Sequence, residues 1–269
     1  MSDFWRRFCM NRSAVLGLII FVLVVVMMVT APLFFPYDPF RMIGRPMLPP
    51  SAEFPFGTDE LGRNVAAGIA HGASTTLFIS FLATGFSVLF GTVIGGVAGY
   101  SNKIVDDILM RFTEIFQTIP PFLLAILLVA VLSPSIESVI VAIAVVTWPP
   151  VARLVRAEFM TLRRREFVEA SITLGMSNTR IIFLQILPNC LSPIIVMGSL
   201  MVATAILVES GLSFLGLGDQ NVMSWGFLIG AGRGVLRTAW WVCTFPGIAI
   251  LLTVLSINLI GEGLNDALN

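Results

Sequence analysis

Long apolar segments separated by short polar stretches dominate the chain. A helix needs about 20 mostly apolar residues to cross the hydrocarbon core of a bilayer, because each residue adds about 1.5 Å. Six segments meet this length or approach it, and they are 14–34, 75–99, 105–132, 138–152, 190–208 and 239–260. The pattern predicts an all-α membrane protein with six transmembrane helices.

Two of these six segments contain paired prolines. The segment 105–132 is half polar at its start and apolar after Pro120, so it is expected to begin in water and to kink or break at the proline pair. The segment 138–152 is short and ends at the pair that starts with Pro149. Arg153 and Arg156 follow it and are expected to anchor this span at the membrane interface.

Composition and charge agree with a membrane protein. The mean hydropathy is +0.93 and 12% of the residues are charged, against roughly 25% in soluble domains. The formal net charge is zero, which implies no nucleic-acid partner. If the N terminus is cytoplasmic, eleven of the 16 basic residues lie in cytoplasmic segments. The positive-inside rule therefore predicts that both termini are cytoplasmic.

The chain lacks the sequence motifs of P-loop ATPases and of multi-histidine metal sites. Its only lysine, Lys103, follows Asn102, so no phosphate-binding GK[ST] loop exists in the sequence. Its only histidine, His71, excludes a multi-histidine metal site and is expected to make a local hydrogen bond. We therefore expect a membrane passage with no catalytic residues, no metal and no cofactor of its own, whose energy comes from another protein.

Two polar or small-residue patterns lie at the ends of the predicted spans. Gly91, Gly95 and Gly99 recur every four residues, which lets helix backbones approach closely, and packing within the subunit is favoured over dimerisation. Asp107 and Arg111, with Glu114 one turn further, form a charged helix face that we expect at the cytoplasmic mouth of the bundle, or else as a structural ladder of salt bridges.

The sequence "EFVEASITLGMSNTRIIFLQILPN" interrupts the apolar pattern between the fourth and fifth spans. From residue 166 it predicts a short helix with one apolar face and one polar face. The apolar face would hold Phe167, Ala170, Ser171 and Leu174, and the polar face Glu166, Glu169 and Thr173. Gly175 is expected to end this helix and Ser177 to cap a second, apolar helix over 178–187, which Pro188 would end.

Three interpretations of this interruption compete. It could be an amphipathic linker at the membrane interface, with the arginines at 163–165 contacting lipid headgroups. It could be a DNA-binding helix-turn-helix, but "RIIFLQIL" offers base edges only Arg180 and Gln185. It could be a stiff element bound by a partner protein, which would transmit the partner's movement to the spans.

A glycine-rich stretch follows the fifth predicted span. Glu209 precedes six glycines between residues 211 and 232, so the stretch is expected to be flexible, partly buried and too broken to span the membrane. We interpret it as an outer gate or docking surface, with an ordinary structured loop as the alternative. The candidate gate or substrate-path residues are Glu209, Ser213 and Trp225.

The sequence "EASITLGMSNTRIIFLQILPN" resembles the EAA motif of the membrane subunits of ATP-binding-cassette (ABC) importers. The matching positions are Glu169, Ala170, Ser171, Gly175, Leu187 and Pro188. Five further stretches, at 54–64, 153–170, 210–218, 224–226 and 257–269, are similar to the second permease of the dipeptide, oligopeptide and nickel importer group. Asn64 replaces the aspartate that many relatives carry.

This resemblance implies a type I ABC importer permease fold (MetI-like) in the bacterial inner membrane. It divides the chain into a first helix and periplasmic segment at 1–74 and a core permease domain at 75–269, with a cytoplasmic coupling helix at about 166–187. The ATPase-coupling residues it implies are Glu166, Glu169, Ala170, Ser171, Gly175, Met176, Ser177 and Pro188.

The resemblance also implies partners. These are a sister permease, two cytoplasmic ATPases that bind ATP and Mg²⁺, and an extracytoplasmic substrate-binding protein. The expected cargo is a peptide or a similar small solute. An importer of nickel or another metal chelate, and a membrane-anchored interaction protein without transport, remain the alternatives.

Overall fold

The computed structural model describes residues 2–268, in which helices account for most of the chain. The helices are α1 Ser2–Met10, α2 Arg12–Phe34, α3 Val65–Tyr100, α4 Lys103–Thr118, α5 Pro121–Leu132, α6 Ile136–Leu162, α7 Glu166–Thr173, α8 Asn178–Ile181, α9 Leu187–Phe214, α10 Trp225–Gly232 and α11 Trp241–Leu268. A π-helical turn, Ile182–Ile186, joins α8 to α9, and a 3₁₀ turn, Arg233–Val235, follows α10.

Five helical units of this bundle are apolar and long enough to cross a membrane, and there are six if one bent pair of helices is counted as a single span. Five are single helices, namely α2, α3, α6, α11 and the continuous unit of α8, the π turn and α9. The sixth is the pair α4 and α5, whose axes differ by 84°. The bend lies at Ile119 and Pro120, so the predicted break at the proline pair is confirmed.

Two predicted span boundaries are wrong. α3 begins at Val65 and not at residue 75, because the Asn64 side chain caps the helix by accepting a hydrogen bond from the Ala66 N–H at 2.9 Å. α6 continues through Pro149 to Leu162, and Arg153 is therefore inside the helix. Packing against α3 on this stretch outweighs the local cost of the prolines, since tertiary contacts often override helix propensity.

The predicted glycine stripe packs α3 against α6 within the subunit, as expected. The two helices run parallel, and α6 side chains lie where glycine β-carbons would stand. A Cβ on Gly91 would be 2.6 Å from Val151 Cβ, and one on Gly99 would be 2.7 Å from Phe159 Cβ. Because carbon atoms cannot approach so closely, the absence of side chains at these positions is what permits this helix separation.

Helix directions define two ends of the bundle. Asn11 at the start of α2 donates a hydrogen bond to the Asp266 carboxylate near the end of α11, at 2.8 Å. Tyr100 at the end of α3 donates to the Asn178 side chain at the start of α8. We call the end where α2 and α8 begin the terminal end, and the other the opposite end.

A compact segment between α2 and α3 covers the opposite end. The buried Asp59 and Arg63 form an ion pair at 2.5 Å. The Trp241 indole N–H donates to the Thr58 carbonyl at 3.1 Å, which ties the segment to α11. His71 Nε2 lies 3.0 Å from the Phe35 carbonyl, so the prediction of a local hydrogen bond is confirmed.

We expect Gly91→Ala to destabilise the protein by about 1–3 kcal/mol, because its methyl group would meet Val151 in a closely packed seam. Gly85→Ala on the same helix is the matched control, since no atom lies within 4 Å of its added Cβ. Thermal unfolding of the detergent-solubilised protein measures both. Equal stability of the two variants would contradict a packing role for the seam.

Candidate functional site

The chain between α6 and α9 forms a turn at the terminal end that is held by several backbone hydrogen bonds. We call residues 163–181 the coupling segment. α7 ends in a Schellman motif, in which Gly175 N–H donates to the Ile172 carbonyl at 2.9 Å and Met176 N–H to the Ser171 carbonyl at 3.1 Å. Gly175 has a φ of +78°, a conformation that favours glycine. The predicted glycine stop is therefore confirmed.

The predicted apolar face of α7 is wrong. The buried residues are Val168 and Ser171, whereas Phe167 and Leu174 are exposed. The reason is the turn at Gly175, which brings Ile181 back against Val168 in one hydrophobic cluster. Local amphipathicity could not reveal this rotation, because the buried face is set by the returning chain.

The second predicted helix does not end at Pro188. α8, the π turn and α9 form one continuous unit of 37 residues, with Pro188 in the first turn of α9. In the π turn, Leu187 N–H bonds to the Ile182 carbonyl five residues back. Because the π turn is wider than an α-helical turn, it displaces the carbonyl group with which the Pro188 ring would otherwise clash. The helix therefore continues past Pro188. Ser177 does stand at the start of α8, but its side chain makes no capping bond.

Tyr100 at the end of α3 holds the coupling segment from both sides. Its hydroxyl donates to the Asn178 side chain at 2.9 Å. Arg163 donates to the Tyr100 carbonyl at 2.6 Å and places its guanidinium 4.9 Å from the centre of the tyrosine ring. Sequence reasoning missed this tyrosine. The feature that could have identified it is its position directly after the glycine stripe, where an aromatic residue with a hydroxyl ends α3.

A polar cavity of about 600 Å³ lies beside the coupling segment. Its wall includes Glu169 of α7 and an ion pair between α4 and α6. In this pair, Arg156 donates through Nε and one terminal nitrogen to the two carboxylate oxygens of Asp106, at 2.5 and 2.6 Å. The predicted charged face at Asp107 and Arg111 is exposed, and neither residue belongs to the ion pairs of the described residues.

Glu209 lies at the opposite end of α9 and is fully buried. The Ser213 hydroxyl donates to one carboxylate oxygen at 2.8 Å and the Ser210 hydroxyl to the other at 3.3 Å. Ser224, which precedes α10, lines the same small cavity as Glu209, and the neighbouring Trp225 N–H donates to the Thr76 hydroxyl of α3 at 3.2 Å. Two hydroxyls of α9 thus bind a carboxylate that is buried close to α3 and to the start of α10.

The glycine-rich stretch after α9 contains an ordered helix, so the prediction of a flexible segment is wrong for α10. Ser224 caps α10 by accepting from the Phe227 N–H at 3.1 Å. Trp225 is fully buried, and its indole N–H donates to the Ile69 carbonyl at 2.9 Å. These contacts to α3 order the helix despite its glycines. A serine preceding an apolar run was the sequence signal for this cap.

The candidate residues therefore fall into two groups at opposite ends of the bundle. The exposed members of the terminal group are Glu166, Glu169, Ala170, Gly175 and Ser177, whereas Met176 is partly buried and Ser171 is buried. Pro188 lies outside the coupling segment, in α9. Glu209, Ser213 and Trp225 lie near one another at the opposite end, with Thr76 and Ser224 as neighbours that sequence reasoning missed.

This fold defines a multi-pass α-helical membrane protein with a structured segment exposed at one end. Residues 91–269 match the family described as "Binding-protein-dependent transport system inner membrane component". Residues 1–50 match the "N-terminal TM domain of oligopeptide transport permease C". The first match covers more than half of the chain, so the chain belongs to this family of bacterial inner-membrane permeases.

Curated relatives match over the whole chain. The di/tripeptide transport system permease protein DppC of Pseudomonas aeruginosa is 39% identical over 277 residues, covering 100% of this chain and 91% of that protein. The dipeptide transport system permease protein DppC of Bacillus subtilis is 41% identical over 271 residues, covering 100% and 85%. The oligopeptide permease OppC of the same organism is 37% identical over 270 residues, covering 100% and 88%.

Solved structures share the fold. A chain of the MetNI methionine ABC transporter, crystallised in inward-facing conformations, aligns with a TM-score of 0.64 at 18% identity and covers 75% of this chain and 96% of that one. A chain of an amino acid ABC transporter crystallised with histidines aligns with a TM-score of 0.58 at 16% identity, covering 74% and 92%. The predicted MetI-like permease fold is therefore confirmed.

We expect Asp106→Asn to loosen α4 from α6, since it removes the charge from a two-point, largely shielded ion pair; the cost should be about 1–3 kcal/mol. Asp107→Asn is the matched control, because this neighbouring carboxylate is exposed and outside the ion pairs. Thermal unfolding of the purified complex measures the difference. A similar loss in both variants would show that general charge, and not the pair, stabilises this region.

Proposed function

We propose that the chain is the permease subunit of a peptide-type ABC importer. It would form the translocation pathway together with a sister permease. Two cytoplasmic ATPases would drive it through the coupling segment, and an external binding protein would deliver the substrate. In this arrangement the terminal end faces the cytoplasm, as the distribution of basic residues predicts.

The observation that carries this proposal is the exposed surface of α7. Leu174 is 82% exposed and Ile172 is 52% exposed, and both lie beside the exposed carboxylates of Glu166 and Glu169. An apolar surface rimmed by charges at the end of a bundle is typical of a protein–protein contact. The surface fits a partner groove that accepts apolar side chains and provides basic or polar groups for the two glutamates.

The mechanism follows from how the coupling segment is attached. Its helix is short, its turn is closed by the two Schellman hydrogen bonds, and Arg163 before the helix and Asn178 after the turn both contact Tyr100. The segment would therefore move as a rigid body when the ATPases bind ATP and close. Such a movement would shift α6 and α9 together and switch the pathway between inward-facing and outward-facing states. ATP and Mg²⁺ would be bound by the ATPases.

The proposed cargo is a dipeptide or an oligopeptide. Relatives at 37–41% identity over the whole chain are named as dipeptide and oligopeptide permeases, which supports a peptide over a nickel or other metal chelate. Uptake of labelled dipeptides, tripeptides and a nickel–histidine chelate into cells that carry the complete transporter tests the cargo directly. Nickel uptake without peptide uptake would overturn the peptide assignment.

Changes in the coupling segment should uncouple transport without removing the protein from the membrane. Glu169→Lys places a cation on the proposed contact and should lower peptide uptake by roughly tenfold or more, which corresponds to about 1.4 kcal/mol of lost interaction. Gly175→Pro removes the N–H that bonds to Ile172 and cannot adopt the positive φ. It should abolish uptake, while Gly175→Ala should have a smaller effect.

Glu262→Lys is the matched charge control, because this exposed carboxylate is near the end of α11, at the same end of the bundle but outside the coupling segment. Uptake and membrane content are measured side by side for all four variants. Normal uptake in Glu169→Lys and Gly175→Pro would overturn the coupling role and favour a plain interfacial linker.

The partners should be recoverable with the chain. We expect the ATPases and the sister permease to co-purify with the affinity-tagged, detergent-solubilised protein. In Gly175→Pro the ATPases should be lost while the sister permease remains, because the coupling segment is exposed and the membrane helices are unchanged. Stable purification of the chain without any ATPase would support the interaction-protein alternative.

A further inference from the structure

The buried carboxylate of Glu209 has no role in the coupling segment and no cation beside it. The ion pairs of the described residues join Asp59 to Arg63 and Asp106 to Arg156, and Glu209 belongs to neither. An ionisable residue inside a membrane span is unfavourable unless it is satisfied, and it generally marks a functional position. Its partners therefore indicate what it does.

The surroundings of Glu209 come from three different elements. Ser210 and Ser213 of its own helix, α9, donate to the carboxylate, whereas residues of α3 and Ser224, which caps α10, line the small cavity beside it. The Thr76 hydroxyl of α3 accepts the backbone N–H of Trp225, at 3.2 Å, in the first turn of α10. The carboxylate thus lies where α3, α9 and the N-terminus of α10 meet. This position is favourable for a negative charge, because the start of a helix carries partial positive charge.

Close packing reinforces the same junction. A Cβ on Gly226 of α10 would lie 2.7 Å from Ser213 Cβ, and one on Gly72 of α3 would lie 3.2 Å from the Ser224 carbonyl carbon. The missing side chains of these two glycines therefore let α10 lie close to α9 and to α3 at this junction. A displacement of the end of α9 must move α10 or break this network.

The helix that carries Glu209 also begins at the coupling segment. α8, the π turn and α9 run without interruption from Asn178 to Phe214. At 1.5 Å per residue, Glu209 lies about 45 Å along this unit from Asn178. One continuous helix thus joins the surface proposed for the ATPases to the junction with α10.

We propose that Glu209 is a positioning residue that fixes α10 to α9 and α3, so that movement of the α8–α9 helix at the coupling segment repositions α10 at the opposite end. The proposal rests on the proposed function for its source of movement. α10 then serves as a gate element whose position follows the ATPases, and Glu209 is the link between them.

The test uses the complete transporter in proteoliposomes, with Glu209→Leu as the main variant. Peptide transport per ATP hydrolysed should fall at least tenfold, because the ATPases still cycle while α10 no longer follows. Glu209→Gln, which keeps one acceptor oxygen and the side-chain shape, should show a smaller loss. If Glu209→Leu assembles poorly, the transport measured for Glu209→Gln still tests the proposal.

Ser87→Ala is the matched control. It removes another buried hydroxyl bond between helices, the one that joins Ser87 in α3 to Thr147 in α6 at 2.7 Å, and it leaves α10 untouched. A purely structural role for Glu209 predicts the same modest effect on the transport-to-hydrolysis ratio in both variants, and that result would overturn the proposal. Ser224→Ala, which removes the cap of α10 beside Glu209, should lower the ratio as well, and its effect should not add to that of Glu209→Leu because both loosen the same end of α10.

Spin labels report the movement itself. Leu61 is an exposed residue just before α3, and Leu236 is an exposed residue just after the 3₁₀ turn that follows α10. Both positions can carry spin labels once the native cysteines are replaced. Adding ATP and vanadate should shift the distance distribution between the two labels in the otherwise unmodified transporter. The shift should be lost in Glu209→Leu and kept in Ser87→Ala. A full shift in Glu209→Leu would overturn the link.

Failure of the proposed function gives a different result. If the unmodified chain neither binds ATPases nor transports peptide, the proposed function fails. Hydrogen exchange then still tests the junction. Compared with the unmodified chain, the backbone amides of α10 should exchange at least tenfold faster in Glu209→Leu and at the same rate in Ser87→Ala. Unchanged exchange in both variants would overturn the positioning role independently of transport.

Discussion

The close approach of α3 and α6 along the glycine stripe determines where the coupling segment lies. Gly91 and Gly99 let the α6 backbone lie against α3 over two turns. Because the helices are parallel and in contact to their last residues, Tyr100 stands beside Arg163, where the coupling segment begins. The position of the coupling segment is thus fixed by backbone packing inside the bundle, and an exposed turn of few residues acquires a defined geometry.

Much of this architecture follows from the sequence alone. Apolar length predicts the spans, and the break at Pro120 and the turn at Gly175 follow from the backbone rules of proline and glycine. The path through Pro149 and past Pro188 does not follow, because tertiary packing and a π turn overcome a local preference. Local rules therefore place the elements more securely than they place the ends of those elements.

The candidate site shows the same division. The sequence identifies Glu209 and Trp225 as unusual, since a carboxylate and a glycine-rich stretch are costly near a membrane. It does not identify Thr76 or Ser224, because hydroxyl residues are common in membrane helices and their role depends on which helices meet. The residues that complete a buried network are recognisable only when the network is assembled in three dimensions.

The position of exposed apolar residues also separates what lipid can cover from what it cannot. Exposed leucines and phenylalanines along α2 and α3 are ordinary for a bundle in a bilayer, because acyl chains cover them. Leu174 differs, since it lies beyond the spans and only five residues after the exposed Glu169. Lipid would accommodate the leucine but not the carboxylates, whereas water would solvate the carboxylates but not the leucine. A protein groove would accommodate both, which is the physical reason for proposing this small surface as the contact for the ATPases.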